Sequence, residues 1–139
     1  MAERLAETVD LAHGRGAGRE ARDVLRAALG PDGADLPEMA LADVLIVAGE
    51  LVENAVDHGQ PSALGTIQIG WLVRRDHVEV TVTDSTSGPA FSHEAPDEFD
   101  PGSPRGRGLM MVHAISEKWG VERDSDAGTT KVTARITTR

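Results

Sequence analysis

The residues best suited to chemistry lie in one run, Gly49-Glu50-Leu51-Val52-Glu53-Asn54-Ala55-Val56-Asp57-His58. Glu50, Asn54 and His58 are four apart and share one helical face, with Glu53 and Asp57 one step round. Charge on a helix's outer face is ordinary. A mid-helix asparagine is less so, because it is a mediocre helix former where a solvated position would more naturally hold Glu, Lys or Arg. Its carboxamide oxygen is a neutral hard ligand, suited to Mg²⁺ where a polyphosphate already supplies negative charge. Glu50, one helical turn from Asn54, would sit beside that metal. A second candidate is Asp84, at the exit of an apolar strand. An aspartate there is commonly a turn former; it is also an acceptor-only group that matches an amine on a base ring. Gly88 nearby would let the chain pass close to a flat ligand. A third is Gly106-Arg107-Gly108-Leu109, where a loop gives way to a helix and backbone N–H groups can approach an anion.

Several classes of chemistry are excluded. No GxxxxGK[ST] run exists and the chain has two lysines, Lys118 and Lys131, so bound phosphate would be neutralised by backbone amides, Mg²⁺ and Arg105 or Arg107. His13, His77, His93 and His113 form no HxxxH or HExxH pair, and cysteine is absent, which argues against a zinc site, a Ser-His-Asp triad and thiolate catalysis. With 14 basic and 23 acidic residues the net charge is −9. That disfavours free nucleic acid, whose binding depends on a basic footprint, and leaves room for a basic protein partner. The N-terminus MAERLAETVDLAHGRG has no apolar core, and no run of about 18 apolar residues occurs. Neither a signal peptide nor a membrane span is expected, and a cytoplasmic location is.

These groups must be held by regular elements, and 139 residues with 40% hydrophobic content suit one domain, 1–139. Residues 4–12 alternate imperfectly and read as an edge strand in preference to a helix start, and apolar spacing predicts a helix over 18–29 through Ala21, Val24, Leu25, Ala28 and Leu29 and a long helix from after Pro37 to about His58. TIQIGWLV (66–73) and HVEVTVT (77–83) alternate with period two and read as a hairpin. Residues 84–105, with Pro89, Pro96, Pro101 and Pro104, read as a lid, a binding loop or a disordered insert. A helix over 107–118 and strands over 119–123 and 129–136 complete the order. The expected fold is α+β, a two-layer sandwich with helices on one face of a mixed, mostly antiparallel sheet.

Taken together, ELVENAVDHG (50–59), VTDSTSG (82–88), GRGLMMV (106–112) and GTTKV (128–132) resemble the ordered boxes of the ATP-binding fold shared by gyrase, Hsp90, histidine kinases and MutL. More closely, the chain from about residue 20 to 136 resembles bacterial anti-sigma-factor serine/threonine kinases and their stand-alone relatives. The resemblance implies a general base at Glu50, an Mg²⁺ ligand at Asn54 and an acceptor for the adenine amine at Asp84. Gly88 would lie near the adenine pocket, Gly106, Arg107, Gly108 and Leu109 at the lid hinge and phosphate cradle, and Thr130, or alternatively Thr129, beside adenine. It implies ATP and Mg²⁺ as cofactors, an anti-anti-sigma-factor protein or a sigma factor as partner, and a homodimer. Asp84-Ser85-Thr86-Ser87-Gly88 lacks the first glycine of the family's DxGxG box, and the lid carries Glu94, Asp97, Glu98 and Asp100. These departures keep a second reading open, a nucleotide-dependent interaction switch with little kinase activity.

Overall fold

The computed structural model describes residues 5–58, 65–85, 104–124 and 126–138. In chain order the elements are β1 (Leu5–Ala12), α1 (Ala17–Leu29), α2 (Glu38–His58), β2 (Thr66–Val73), β3 (His77–Ser85), α3 (Pro104–Ile115), β4 (Lys118–Asp124) and β5 (Thr129–Thr137). The strands form one sheet in the order β1-β2-β3-β5-β4, and every pairing is antiparallel. The sheet is thus antiparallel throughout rather than mixed. The chain has the expected α+β architecture.

Period-two alternation decides which sheet face is covered. Ile67, Ile69, Trp71 and Val73 on β2, Val78, Val80 and Val82 on β3, and Val132, Ala134 and Ile136 on β5 are buried in one core with the helices. Their alternate neighbours on β3 and β5, such as Thr81, Thr83, Thr133 and Arg135, are half-buried on the opposite face. A one-residue slip would exchange these two sets, so burial of one face pins the register.

Helix α2 is the central element of the helical layer. It packs on α1 and α3 and also touches β2, β3 and β5. Val44, Val47, Ala48, Leu51, Val52 and Ala55 supply its buried stripe, at the three- and four-residue spacing of an α-helix. Helix α1 adds Ala17, Ala21, Leu25 and Leu29 to the same core and ends at Gly30, whose N–H donates to the Arg26 carbonyl at 3.0 Å.

Helix α3 begins at Pro104 and ends at Ile115, three residues earlier at each end than the apolar spacing suggests. Proline suits a first helical position because its missing N–H has no partner there in any case. At the other end β4 starts at Lys118, which pairs with Arg135, so the sheet claims the last residue that the periodicity assigned to the helix. Trp119 Nε1 donates to His113 Nδ1 at 3.3 Å and ties α3 to β4. The lid expected over 84–105 is shortened at both ends, since β3 runs on through Ser85 and α3 takes in Pro104 and Arg105. Residues 86–103, Gly88 among them, lie outside the described residues.

Candidate functional site

A mid-helix asparagine, a strand-end aspartate and a strand-start threonine ordinarily sit in water. Among the described residues, the buried polar or charged ones are Asn54, at 8% exposure, Asp84, at 5%, and Thr130, at 2%. Asp84 and Thr130 lie on the helix-facing side of the sheet and Asn54 is buried on α2. Asp84 and Thr130 are direct partners across β3 and β5. Both occupy the helix-facing register of Val82 and Val132, and α2, which carries Asn54, packs against these two strands. Thr129 pairs instead with Ser85, and its side chain belongs to the opposite face by alternation. The structure therefore separates the two threonines.

Two of these residues have unmet polar atoms. Asn54 Nδ2 and Thr130 Oγ1 are buried and have no hydrogen-bond partner. Leaving a buried polar group unsatisfied costs about 1–3 kcal/mol, and apolar residues of similar size would remove that cost. Such groups fit a polar ligand that enters from outside the chain. The orphaned Asn54 Nδ2 is a donor and calls for an acceptor such as a phosphate oxygen, while the carboxamide oxygen of the same side chain is the atom suited to a hard cation such as Mg²⁺. Among the described residues no cluster of three His, Asp or Glu side chains could hold a metal by itself, so a cation here would need ligand oxygens in addition to Asn54.

Glu50 sits one turn before Asn54 and is half-buried. Its carboxyl is raised above the ordinary value of 4.5, first by burial and next by the negative charge of Glu53, with the Arg22 guanidinium opposing both. Glu53 and Asp57 are exposed.

Arg22 and Gly49 form a feature that the motifs do not include. Arg22, on α1, reaches across to α2 and pairs with Glu53, Nη1 to Oε2 at 3.5 Å. A Cβ at Gly49 would lie 2.5 Å from Arg22 Nη1, and Arg22 supplies all three of its nearest neighbouring atoms. Glycine in a helix interior costs about 0.8–1.0 kcal/mol relative to alanine, whereas an exposed ion pair returns about 0–1 kcal/mol. The pair does not offset the glycine by any clear margin. A lone glycine inside an otherwise strong apolar stripe was the available sequence signal.

On α3, Leu109 is buried at 1% exposure. Gly106 and Gly108 are helical rather than part of the preceding loop, so the Gly-Arg-Gly run lies within the first two helical turns. Gly106, near the start, falls where backbone N–H groups lack partners within the helix. Helix α3 packs against α2, which brings this run to the Asn54 helix. Helix α2, which carries Glu50 and Asn54, is thus packed against α3 and against the strands β3 and β5 that carry Asp84 and Thr130.

The model of the histidine kinase-like ATPase domain matches residues 11–136. The chain belongs to this family. As a histidine kinase-like ATPase domain it is similar in structure to the RsbU and RsbW domains of Rv1364c from Mycobacterium tuberculosis, with a TM-score of 0.69 and 22% identity over 97% of this chain and 33% of that one. The chain therefore spans about a third of that relative's length. It is also similar to a chain of the SiaB–SiaC complex from Pseudomonas aeruginosa, with a TM-score of 0.58 and 15% identity over 94% of this chain and 89% of that one. At such identities the likeness is one of fold. No curated protein matches the sequence. Among the described residues, no helix of this histidine kinase-like ATPase domain is long and apolar enough to cross a membrane.

Proposed function

We propose that this chain binds ATP with Mg²⁺ between α2, α3 and the β3–β5 end of the sheet, and that it transfers the γ-phosphoryl group to a serine or threonine of a protein partner. The observation that carries this reading is the burial of Asn54, Asp84 and Thr130 against an otherwise apolar core, with two orphaned atoms among them. Asp84 would accept from the adenine amine and Thr130 would hydrogen-bond beside it. Asn54 would hold Mg²⁺ through its carboxamide oxygen, and Gly106 to Leu109, with Arg107, would cradle the phosphates. Gly88 would border adenine. Mg²⁺, when bound, would spread the negative charge of the phosphate oxygens.

Phosphoryl transfer asks chiefly for positioning and neutralisation of charge. Glu50 takes the proton from the acceptor hydroxyl as that oxygen bonds to the γ-phosphorus and the bond to the β–γ bridging oxygen breaks. The resemblance to anti-sigma-factor kinases supports an anti-anti-sigma-factor protein as acceptor, a sigma factor as the sequestered protein, and a homodimer as the assembly. The SiaB–SiaC pairing in the similar structure is in keeping with a protein partner.

Calorimetry with ATP and Mg²⁺ tests the site: heat of binding is expected, and its absence from folded protein would end the proposal. Incubation with γ-labelled ATP and candidate partners tests the transfer. A labelled serine or threonine supports the kinase. An ATP-dependent complex without label supports the interaction switch, which the altered Asp84 box motivates.

A further inference from the structure

The contact between α1 and α2 holds an ion pair with no evident stabilising purpose. Arg22 crosses from α1 over Gly49 and reaches Glu53 at 3.5 Å, and Gly49 leaves open the space that its guanidinium fills. The pair is solvent-exposed, with 37% of the Arg22 side chain and 53% of the Glu53 side chain accessible, so salt and side-chain entropy reduce its worth. A helix that gives up a better helix former to seat one guanidinium gains little stability from it. Glu50 and Glu53, three apart, are neighbours on α2, and Glu50 is the half-buried one.

We propose that Arg22 is a positioning residue for Glu50, its guanidinium fixing Glu53 across the Gly49 notch and countering that carboxylate's negative charge beside Glu50. This inference rests on the reading of Glu50 as proton acceptor. Among the described residues, the charged groups acting on Glu50 are Glu53 on its own helix and Arg22 on α1. Of the other elements packed on α2, β3 contributes Asp84 to the helix-facing side, and His113 is exposed on α3. Left unpaired, Glu53 would present a mobile, uncompensated negative charge to Glu50.

The test uses ATP turnover at saturating ATP and Mg²⁺, with calorimetry of nucleotide binding alongside. Arg22→Gln is expected to lower kcat about tenfold and leave KM and nucleotide affinity within about twofold, because Arg22 approaches α2 from the α1 side whereas the nucleotide site lies on the α3 side. Arg22→Lys should recover part of the loss, since a lysine keeps the charge without the planar fork. The deciding variant is Arg22→Gln combined with Glu53→Gln. Recovery to within about twofold of wild type is expected, because the charge that Arg22 countered is then gone. A double variant as slow as Arg22→Gln would overturn the proposal, as would an Arg22→Gln variant with wild-type kcat. Failure of the parent reading looks different: wild-type protein gives no binding heat, or Glu50→Gln turns over at the wild-type rate, and the Arg22 role falls with either result.

Discussion

A buried side chain that lacks a partner in the free protein should trade stability against binding. Asn54→Ala removes the orphaned amide of a residue 8% exposed, so the unliganded variant should melt no lower than wild type or slightly higher. Binding of ATP with Mg²⁺ should nevertheless weaken by at least tenfold, since loss of even an outer-shell group at a metal site costs about 10–100-fold. Thermal melts with and without nucleotide check both halves. Glu50 has a pH dependence of known sign. Its folded carboxyl lies above the ordinary 4.5, so the folded state holds the proton more tightly than the unfolded state. The resulting stability is fully present below the unfolded value and is lost as pH rises through the folded value. Glu50→Gln should therefore melt higher relative to wild type at pH 7 than at pH 4; an unchanged difference would contradict the raised carboxyl. Asn54 stood out in the sequence because a mid-helix asparagine is odd for its place, Glu50 because it shares that helical face, and Asp84 only as an acceptor at a strand exit where a turn former is also common. Thr130 was legible only as one of two neighbours, because choosing between Thr129 and Thr130 requires knowing which sheet face is covered.

The elements hold these groups through one shared core. Leu25 of α1 is fully buried, and Leu25→Ala should cost about 2–5 kcal/mol, a fall in Tm of roughly 5–20 °C by thermal melt. The β4–β5 turn, which places Thr130 beside Asp84, is built from local bonds. Asp124 Oδ1 accepts from the N–H groups of Asp126 and Ala127, both at 3.1 Å, and Gly128 has φ +68°, a region in which a Cβ is disfavoured. Gly128→Ala should destabilise by about 1 kcal/mol and weaken nucleotide binding through the displaced strand start, measurable by melting and calorimetry. Helix α2 and the β2–β3 hairpin were plain from periodicity, since each buries one face against a single layer. The ends of α3 were not, because Pro104 and the β4 pairing, rather than apolar spacing, set them.

At the scale of the whole molecule, a net charge of −9 opposes a triphosphate at long range and favours a basic partner surface. Raising salt from about 50 to 300 mM shortens the Debye length from roughly 14 Å to 6 Å. ATP binding should hold or strengthen over that range once this repulsion is screened. Association with a basic partner should slow by about tenfold, since steering acts mainly on the on-rate. Stopped-flow association at several salt concentrations checks the second expectation, and an on-rate indifferent to salt would exclude a basic docking surface.

By itself the sequence determined the α+β class, the helical face shared by Glu50 and Asn54, and the position of Asp84 at a strand exit, because these depend on spacings within single elements. The tertiary structure alone decided that Asp84 and Thr130 pair across β3 and β5, that Thr129 faces the other way, and that Arg22 lies over Gly49. Those relations are set by strand register and by how closely two helices approach, and both arise from burying one sheet face against one helical layer.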